Sequence, residues 1–251
     1  KHTLVENMST TVQTIPILNL AIALTPVTVL IAVLHRWSLD SMHATYGVIR
    51  MLAQLLLIGY MLTFIFEADS AWVIGLVLAV MVAAASWIAL DNVRDQRLKL
   101  LGCAVASILI AGGLTLLLVT QLILSLETWY SPQYVIPLAG MIFAASMNSI
   151  SLSIERLTAE MSRGISYEEA RAIALNAALI PILNSLFAVG LVSLPGMMTG
   201  QILSGVSPFV AARYQIMVMC MLFTAAGFSA VLFLVSARSL IPSFDQSSAK
   251  D

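Results

Sequence analysis

The sequence predicts an all-α, polytopic transmembrane helical bundle with about seven spans, and three observations support this fold class. Of the 251 residues, 60% are hydrophobic and only 10% are charged, whereas soluble domains carry about 25% charged residues. The mean hydropathy is +0.96. The charged residues cluster in short segments between apolar runs of about 20 residues, the length that crosses a bilayer. A soluble core could not bury this much apolar surface, so the lipid bilayer is the predicted solvent of the chain.

The predicted spans follow the chain from its first apolar run to its last. They lie at about Ile15–Leu34, Tyr46–Phe66, Ala71–Leu90, Leu100–Leu124, Tyr134–Ser153, Ala172–Leu194 and Tyr214–Ala237. The small residues of the fifth span, Gly140, Ala144 and Ala145, predict a face for close helix packing. Residues 238–251 are expected to form a polar, frayed tail. No internal repeat or linker indicates a second domain, so residues 1–251 are predicted to form a single transmembrane domain.

The basic residues predict an outside N-terminus and a cytosolic C-terminus. In this orientation ten of the basic residues fall on the cytosolic side: Arg36, Arg50, Arg94, Arg97, Lys99, Arg156, Arg163, Arg171, Arg238 and Lys250. Only Lys1 and Arg213 fall outside. An excess of Lys and Arg in cytoplasmic loops is the established determinant of membrane-protein orientation.

Several functions are excluded or disfavoured by what the sequence lacks. The phosphate-binding motif Gly-x-x-x-x-Gly-Lys-[Ser/Thr] is absent, so ATP hydrolysis by that route is excluded. Every Asp and Glu lies in a loop, at a span end or in a terminus, which disfavours ion coupling through an intramembrane carboxylate. The three histidines are His2, His35 and His43, so no mid-span serine has a catalytic base. A net charge of -1 without a basic patch indicates no nucleic-acid partner.

Neither the N-terminus nor the cysteines suggest processing or cross-linking. Residues 1–14 are too polar for a signal peptide, and the first apolar run has no cleavage-site flank. Cys103 and Cys220 both fall inside apolar runs, which predicts small buried residues rather than a disulfide or a metal pair.

A charged segment at residues 155–171, here called the elbow, is predicted to form a helix, a tight turn and a second helix. Gly164 suits the left-handed position just past a helix end. Ser166 followed by Glu169 is a capping box, which starts the next helix. The charged side chains of this segment are expected in water: Glu160, Arg163, Glu168, Glu169 and Arg171. Such an elbow suits the docking of a soluble partner, and an ordinary charged loop is the alternative.

Polar and helix-breaking residues in the last third predict a pathway or gate. Asn148, Asn176 and Asn184 lie within spans, either as interhelical hydrogen-bond partners or as the lining of a path. Pro181 and the pair Pro195–Gly196 are expected to break the sixth span and its continuation. Lipid cannot satisfy exposed backbone groups, so such backbone is covered by protein or lines a wet cavity.

The segment at residues 195–208, here called the outer segment, is therefore the candidate gate. With the flanking Ser193, its candidate residues are Pro195, Gly196, Met197, Met198 and Gly200. The adjacent thioethers of Met197 and Met198 either bind a soft ion such as Cu(I) or only pack against neighbours. No set of metal ligands can be assigned from the sequence.

Three runs resemble a known family. Tyr134–Met141, Gly190–Gly200 and Ala212–Ile216 look like the corresponding runs of the FetB-type (UPF0014) permeases. These are membrane subunits of ABC transporters and include bacterial iron exporters and plant aluminium-tolerance proteins. The likeness extends from the second span to the seventh. It implies a plasma (inner) membrane permease that exports a metal ion, iron in the bacterial members.

The resemblance also implies partners and a coupling role. The permease would work as a homodimer with a separate ABC ATPase subunit, which binds the ATP and Mg while this chain binds no cofactor. Coupling would fall on the elbow, where Ser162-Arg163-Gly164 and Ala170 fit the family pattern. With the capping residues, the expected coupling set is Glu160, Ser162, Arg163, Gly164, Ser166, Glu169 and Ala170. Compared with the coupling motif of ABC importers, the interval from Gly164 to Pro181 is longer.

Two functions of other classes remain as alternatives to an ABC permease. A stand-alone channel or carrier would move its substrate without any ATPase. A membrane scaffold or sensor would bind a partner and transport nothing. The plant relatives also leave an aluminium-related or sugar-nucleotide cargo open beside iron.

Overall fold

The computed structural model describes residues 15–67 and 70–241, which form two compact units. The described residues of the first unit are 15–67 and Leu203–Gly205, and those of the second are 70–202 and 206–241. Within these residues, seven helical segments are long and apolar enough to cross a membrane, and no strand is present. The predicted all-α membrane fold is therefore confirmed. The prediction of a single domain stays a prediction, and residues 242–251 of the predicted tail lie outside the described residues.

The first unit contains three helices, α1 (Ile17–Ala23), α2 (Thr25–Arg36) and α3 (Ser41–Glu67). The predicted first span is thus two helices that meet at Leu24, where Pro26 begins α2. The Asp40 carboxylate accepts a hydrogen bond of 2.9 Å from the His43 N–H and caps α3. Among the residues of these helices whose burial is described, only Ile65 is buried. Their apolar side chains are free to contact lipid.

The second unit contains the other helices. They are α4 (Ala71–Ala89), α5 (Arg97–Ser107), α6 (Gly113–Leu117), α7 (Pro132–Met161), α8 (Tyr167–Ala188), α9 (Gly196–Leu203) and α10 (Pro208–Ser236). A 3₁₀ turn at Asp91–Gln96 precedes α5, and π-helical turns at Ile108–Gly112 and Leu118–Ile123 flank α6. Together α5, α6 and these π turns form the fourth span. The residues Ala237–Ser239 form a further 3₁₀ turn, so the first two residues of the tail predicted to be frayed are helical.

Several span boundaries differ from the sequence prediction, most of all in the last three spans. The fifth span was expected to end at Ser153, but α7 continues to Met161. The sixth span was expected at 172–194, but α8 begins at Tyr167 and ends at Ala188. Gly190, with φ +82°, ends the helical path there. The seventh span was expected from Tyr214, but α10 begins at Pro208, because Ser207 caps it and proline fits the first helical turn.

The core of the second unit is built around α7, which packs against α4, α8, α10 and the π-helical part of the fourth span. Its fully buried side chains include Ile142, Ile150, Ile154 and Leu157. The small and polar residues of its packing face are Ala139, Ser146, Ser149 and Ser153, all buried. Ser146 Oγ lies 2.9 Å from Ser229 Oγ of α10, so a hydroxyl pair joins the two helices.

The predicted packing face of the fifth span is only partly correct. A Cβ at Gly140 would lie 3.5 Å from Met81 Cε of α4, which is ordinary van der Waals contact, and Gly140 and Ala145 are half-buried. Ala144 and Asn148 are exposed. The small residues on the adjacent side of the helix are buried more deeply.

The close packing of Gly112 against α7 yields a prediction with a neighbouring control. A Cβ at Gly112 would lie 3.1 Å from Ile142 Cγ2 and 3.2 Å from Phe143 Cδ1, whereas a Cβ at Gly113 meets nothing within 4 Å. We expect Gly112→Ala to destabilise the fold by about 1–3 kcal/mol through overpacking. We expect Gly113→Ala to be neutral or to stabilise by about 0.5–1 kcal/mol. The midpoints of thermal denaturation in detergent check both, and equal midpoints would contradict the assigned contact.

Candidate coupling elbow and outer cavity

The elbow forms the predicted helix, turn and helix. Helix α7 ends at Met161, and Gly164 follows with φ +83°. The Gly164 N–H donates to the Met161 carbonyl at 3.0 Å, and the Ile165 N–H donates to the Glu160 carbonyl at 3.3 Å, so the last turn of α7 is closed. Ser166 Oγ accepts from the Glu169 N–H at 3.4 Å and caps α8. Glycine is required in the turn because L side chains rarely adopt its backbone conformation.

Glu160 does not lie in water as predicted, because it is only 3% exposed. Its Oε1 atom lies 2.6 Å from Arg156 Nη2 and 3.2 Å from Arg163 Nη1. The spacings of four and three residues place both guanidinium groups beside the carboxylate on one side of α7. The two arginine side chains stay 41% and 66% exposed, so a buried anion is held by two partly solvated cations.

The elbow is fixed to the end of α10 by three contacts. The Tyr167 hydroxyl donates a hydrogen bond to the Leu234 carbonyl. Glu168 pairs with Arg171 and with Arg238, in each case at 2.8 Å. The Arg238 guanidinium also lies over the Tyr167 ring, 5.7 Å from its centroid. The elbow, which joins α7 to α8, is therefore also in contact with the end of α10.

Removal of the Tyr167 hydroxyl tests this attachment. We expect Tyr167→Phe to destabilise the protein by about 1 kcal/mol, because it removes the hydrogen bond but keeps the ring against Arg238. Tyr134→Phe is the matched control, since the Tyr134 hydroxyl forms no hydrogen bond with any described residue. Thermal denaturation in detergent compares the two, and identical midpoints would show that the hydroxyl contact contributes nothing.

The predicted coupling residues divide into surface and interior groups. Ser162, Arg163, Gly164, Ser166 and Glu169 are exposed and form a polar surface on the turn. Ala170, like Glu160, is buried, with no exposed surface at all. The interior residues therefore hold the shape of the elbow, and only the exposed ones are accessible to a soluble partner.

Pro181 does not break the sixth span, contrary to the prediction. Helix α8 runs through it from Tyr167 to Ala188. Transmembrane helices accept proline where protein shields the freed backbone carbonyl from lipid, and here α8 packs against α7 and α10. The break lies further on, where the Gly190 N–H donates to the Ser193 carbonyl at 2.9 Å.

The outer segment contains a short helix between two turns. Pro195 precedes α9, and Gly205, with φ +90°, precedes the cap of α10 at Ser207. Ser193, Gly196 and Gly200 are exposed, and Pro195, Met197 and Met198 are half-exposed. The predicted breaker-rich segment is thus an ordered turn, helix and turn.

The three predicted pathway asparagines are all exposed on the surface of the second unit. Asn148 lies on the exposed side of α7 with Ala144. Asn176 and Asn184 lie eight residues apart on the exposed side of α8 with Ile180. Amide side chains inside spans are costly against lipid, so these sides favour contact with protein or water.

Two pockets lie beside α10 within the second unit. A cavity of about 360 Å³ lies among the end of α8, the loop after it, α9 and α10, and Met198 of the predicted gate lines it. A groove of about 590 Å³ runs between the fourth span and α10, with Arg213 among its lining residues. Gln215 lines the smaller cavity, and its Oε1 atom has no hydrogen-bond partner among the described residues.

Comparison with known proteins identifies the family. Residues 17–241 match the family described as "Uncharacterised protein family (UPF0014)". The chain belongs to the UPF0014 family. The UPF0014 membrane protein slr1647 of Synechocystis is 37% identical over 68% of this chain and 71% of its own length. The probable iron export permease protein FetB of Escherichia coli is 35% identical over 85% of this chain and 87% of its own length.

A plant protein is also similar to the chain. The protein ALUMINUM SENSITIVE 3 of Arabidopsis thaliana is 33% identical over 74% of this chain and 72% of its own length. No solved structure matches the chain. The predicted resemblance is therefore confirmed, and the chain is a multi-pass membrane protein of a family with named permeases.

The UPF0014 chain contains no conventional metal cluster in the part that the structure describes. No group of three or more His, Cys, Asp or Glu side chains is close enough to hold an ion in residues 15–67 and 70–241. Cys103 and Cys220 are both free; Cys103 is half-buried and Cys220 is exposed, whereas both were predicted to be buried.

Sequence reasoning missed several residues of the elbow and the cavity. Tyr167 bonds Leu234 and Arg238 pairs with Glu168, and in both contacts the partners are more than 60 positions apart in the sequence. No local pattern links such residues. Gln215 was available as a polar residue inside the last apolar run, which was a usable signal.

Proposed function

We propose that this chain is the permease subunit of an ABC-type exporter that moves a metal ion out of the cytosol. The proposal of a permease for a metal ion rests on the family, whose Escherichia coli member is named a probable iron export permease. The proposal that an ABC ATPase drives this permease rests on one observation, the elbow. It is a polar turn with five exposed coupling candidates, and it is attached to three long helices at once.

The proposed power source is a separate ABC ATPase that binds ATP and Mg. The chain lacks the phosphate-binding motif, so the energy for pumping comes from another subunit. The exposed rim of the elbow, Ser162 to Ser166 with Glu169, would lie in a groove of that ATPase. Attachment of Glu168 to Arg238 would pass the movement of the ATPase to α10.

The proposed assembly is a homodimer in the plasma (inner) membrane, with the N-terminus outside and the C-terminus in the cytosol. The positive-inside distribution supports the orientation. The exposed amides of Asn148, Asn176 and Asn184 support the dimer, since a second copy or a wet path between copies would remove them from lipid. Iron is the proposed cargo by the name of the relative alone.

Reconstitution in liposomes tests the proposal. The chain is purified with a candidate ABC ATPase subunit from the same organism, and iron(II) efflux and ATP hydrolysis are measured together. Matched liposomes carry an ATPase variant in which the phosphate-binding lysine is replaced. We expect efflux only with the intact ATPase. Efflux from the chain alone would identify a carrier or channel, and complex formation without efflux would identify a scaffold; either outcome overturns the proposal.

A further inference from the structure

The cavity between α8, α9 and α10, here called the sulfur-lined cavity, contains an unusual set of donor groups. Its lining includes the thioethers of Met198 and Met219 and the thiol of Cys220. Gln215 is a further lining residue, one helical turn before Met219. The rest of the lining is apolar, and no charged side chain takes part. The cavity encloses about 360 Å³, which is ample for one ion.

Gln215 adds an unpaired polar group to the lining of the cavity. Gln215 is only 5% exposed, and its Oε1 atom lacks a hydrogen-bond partner among the described residues. A buried amide oxygen without a partner is unfavourable, so the lining differs from that of a purely apolar packing gap.

The donor set selects the class of ion. Thiolate and thioether ligands favour soft ions such as Cu(I), whereas carboxylate and water ligands favour hard ones. Charge balance points the same way. When Cu(I) binds, it takes the place of the Cys220 thiol proton, which leaves to solvent, so the bound site is neutral. A divalent ion would leave a net positive charge in an apolar cavity, which is strongly unfavourable.

The cavity also has an access route. Cys220 and Ile216 line both the sulfur-lined cavity and the larger groove on the other side of α10. Cys220 is itself exposed. An ion can therefore reach the thiol from the groove before it meets the two thioethers.

We propose that the sulfur-lined cavity is a binding site for one soft monovalent cation of the Cu(I) class. The ligands are the Cys220 thiolate and the thioethers of Met198 and Met219, and Gln215 lines the same cavity. The inference rests on the proposed function in one respect, that the site would serve a metal-exporting permease. Binding itself requires no ATPase.

Titration of the purified, detergent-solubilised chain with Cu(I) against a colorimetric Cu(I) chelator tests the site. We expect one Cu(I) per chain, with sulfur neighbours in X-ray absorption spectra. Cys220→Ser and Met219→Leu should each weaken binding roughly tenfold or more. Cys103→Ser and Met217→Leu are the matched controls, since Cys103 is the other free cysteine and Met217 lines the groove but not this cavity.

Several outcomes would overturn the inference. These are no stoichiometric Cu(I) binding by the folded chain, equal weakening by the control variants, or displacement of Cu(I) by equimolar iron(II). Met219→Leu keeps the side-chain volume, so it separates loss of a ligand from loss of the fold.

The site and the proposed transport function fail in distinguishable ways. If Cys220→Ser has no effect on Cu(I) binding while ATP-driven iron export persists, the soft-ion site is wrong and the exporter stands. If Cu(I) binds as expected but no metal leaves liposomes that contain the ATPase, the site stands and the exporter is wrong.

Discussion

Gly164→Val is expected to lower transport-coupled ATP hydrolysis roughly tenfold while the protein remains folded. Gly164 adopts φ +83°, and a Cβ there would meet nothing within 4 Å. The penalty is therefore conformational rather than steric, about 1–2 kcal/mol for a non-glycine residue and more for a β-branched one. The turn relieves the strain by moving, which displaces the exposed rim that the ATPase is proposed to hold.

The measurement is metal-stimulated ATP hydrolysis in liposomes, compared with basal hydrolysis by the same complex. Ser38→Val is the control for backbone strain, because Ser38 also adopts a positive φ, of 57°, is exposed, and lies in neither the elbow nor the outer segment. It should reduce the folded yield without changing the ratio of metal-stimulated to basal hydrolysis. An unchanged ratio for Gly164→Val as well would show that the elbow does not couple transport to hydrolysis.

The double substitution Arg156→Met with Arg163→Met is expected to destabilise the protein by about 3–5 kcal/mol. It leaves the Glu160 carboxylate buried without either of its cations, at 4% side-chain exposure. The reverse substitution, Glu160→Met, should cost much less, because the two arginines are partly exposed and can be solvated.

The triple variant, which adds Glu160→Met to the double substitution, is the decisive control. It removes the buried charge together with its partners, so most of the lost stability should return. Urea or thermal unfolding in detergent gives the comparison. If the triple variant is as unstable as the double one, the loss comes from arginine packing rather than from the unpaired carboxylate.

The capped turn could be predicted from the sequence because its causes are local. Gly164 and the pair Ser166 and Glu169 act over three or four positions, and the structure shows the same turn at the same residues. The burial of Glu160 could not be predicted in this way. Its spacing from Arg156 and Arg163 was visible, but burial depends on which side of α7 meets its neighbours.

The side on which each span packs against its neighbours could not be predicted from the sequence either. In a soluble helix, an apolar stripe marks the side that faces the core. A membrane span is apolar on every side, so the stripe gives no direction. Gly140 and Ala144 were predicted on the contact face of the fifth span. Gly140 does approach α4, but Ala144 is exposed, and Ala139, Ser146 and Ser153 are the small residues that are fully buried.

The sequence by itself determined the bilayer as solvent, the number of long helices, the capped elbow and the family. Each follows from composition or from interactions within a few residues. The tertiary structure alone decided the buried carboxylate, the attachment of the elbow to α10 at Leu234 and Arg238, and the sulfur-lined cavity. These join residues far apart in the chain, and packing geometry, rather than local propensity, brings them together.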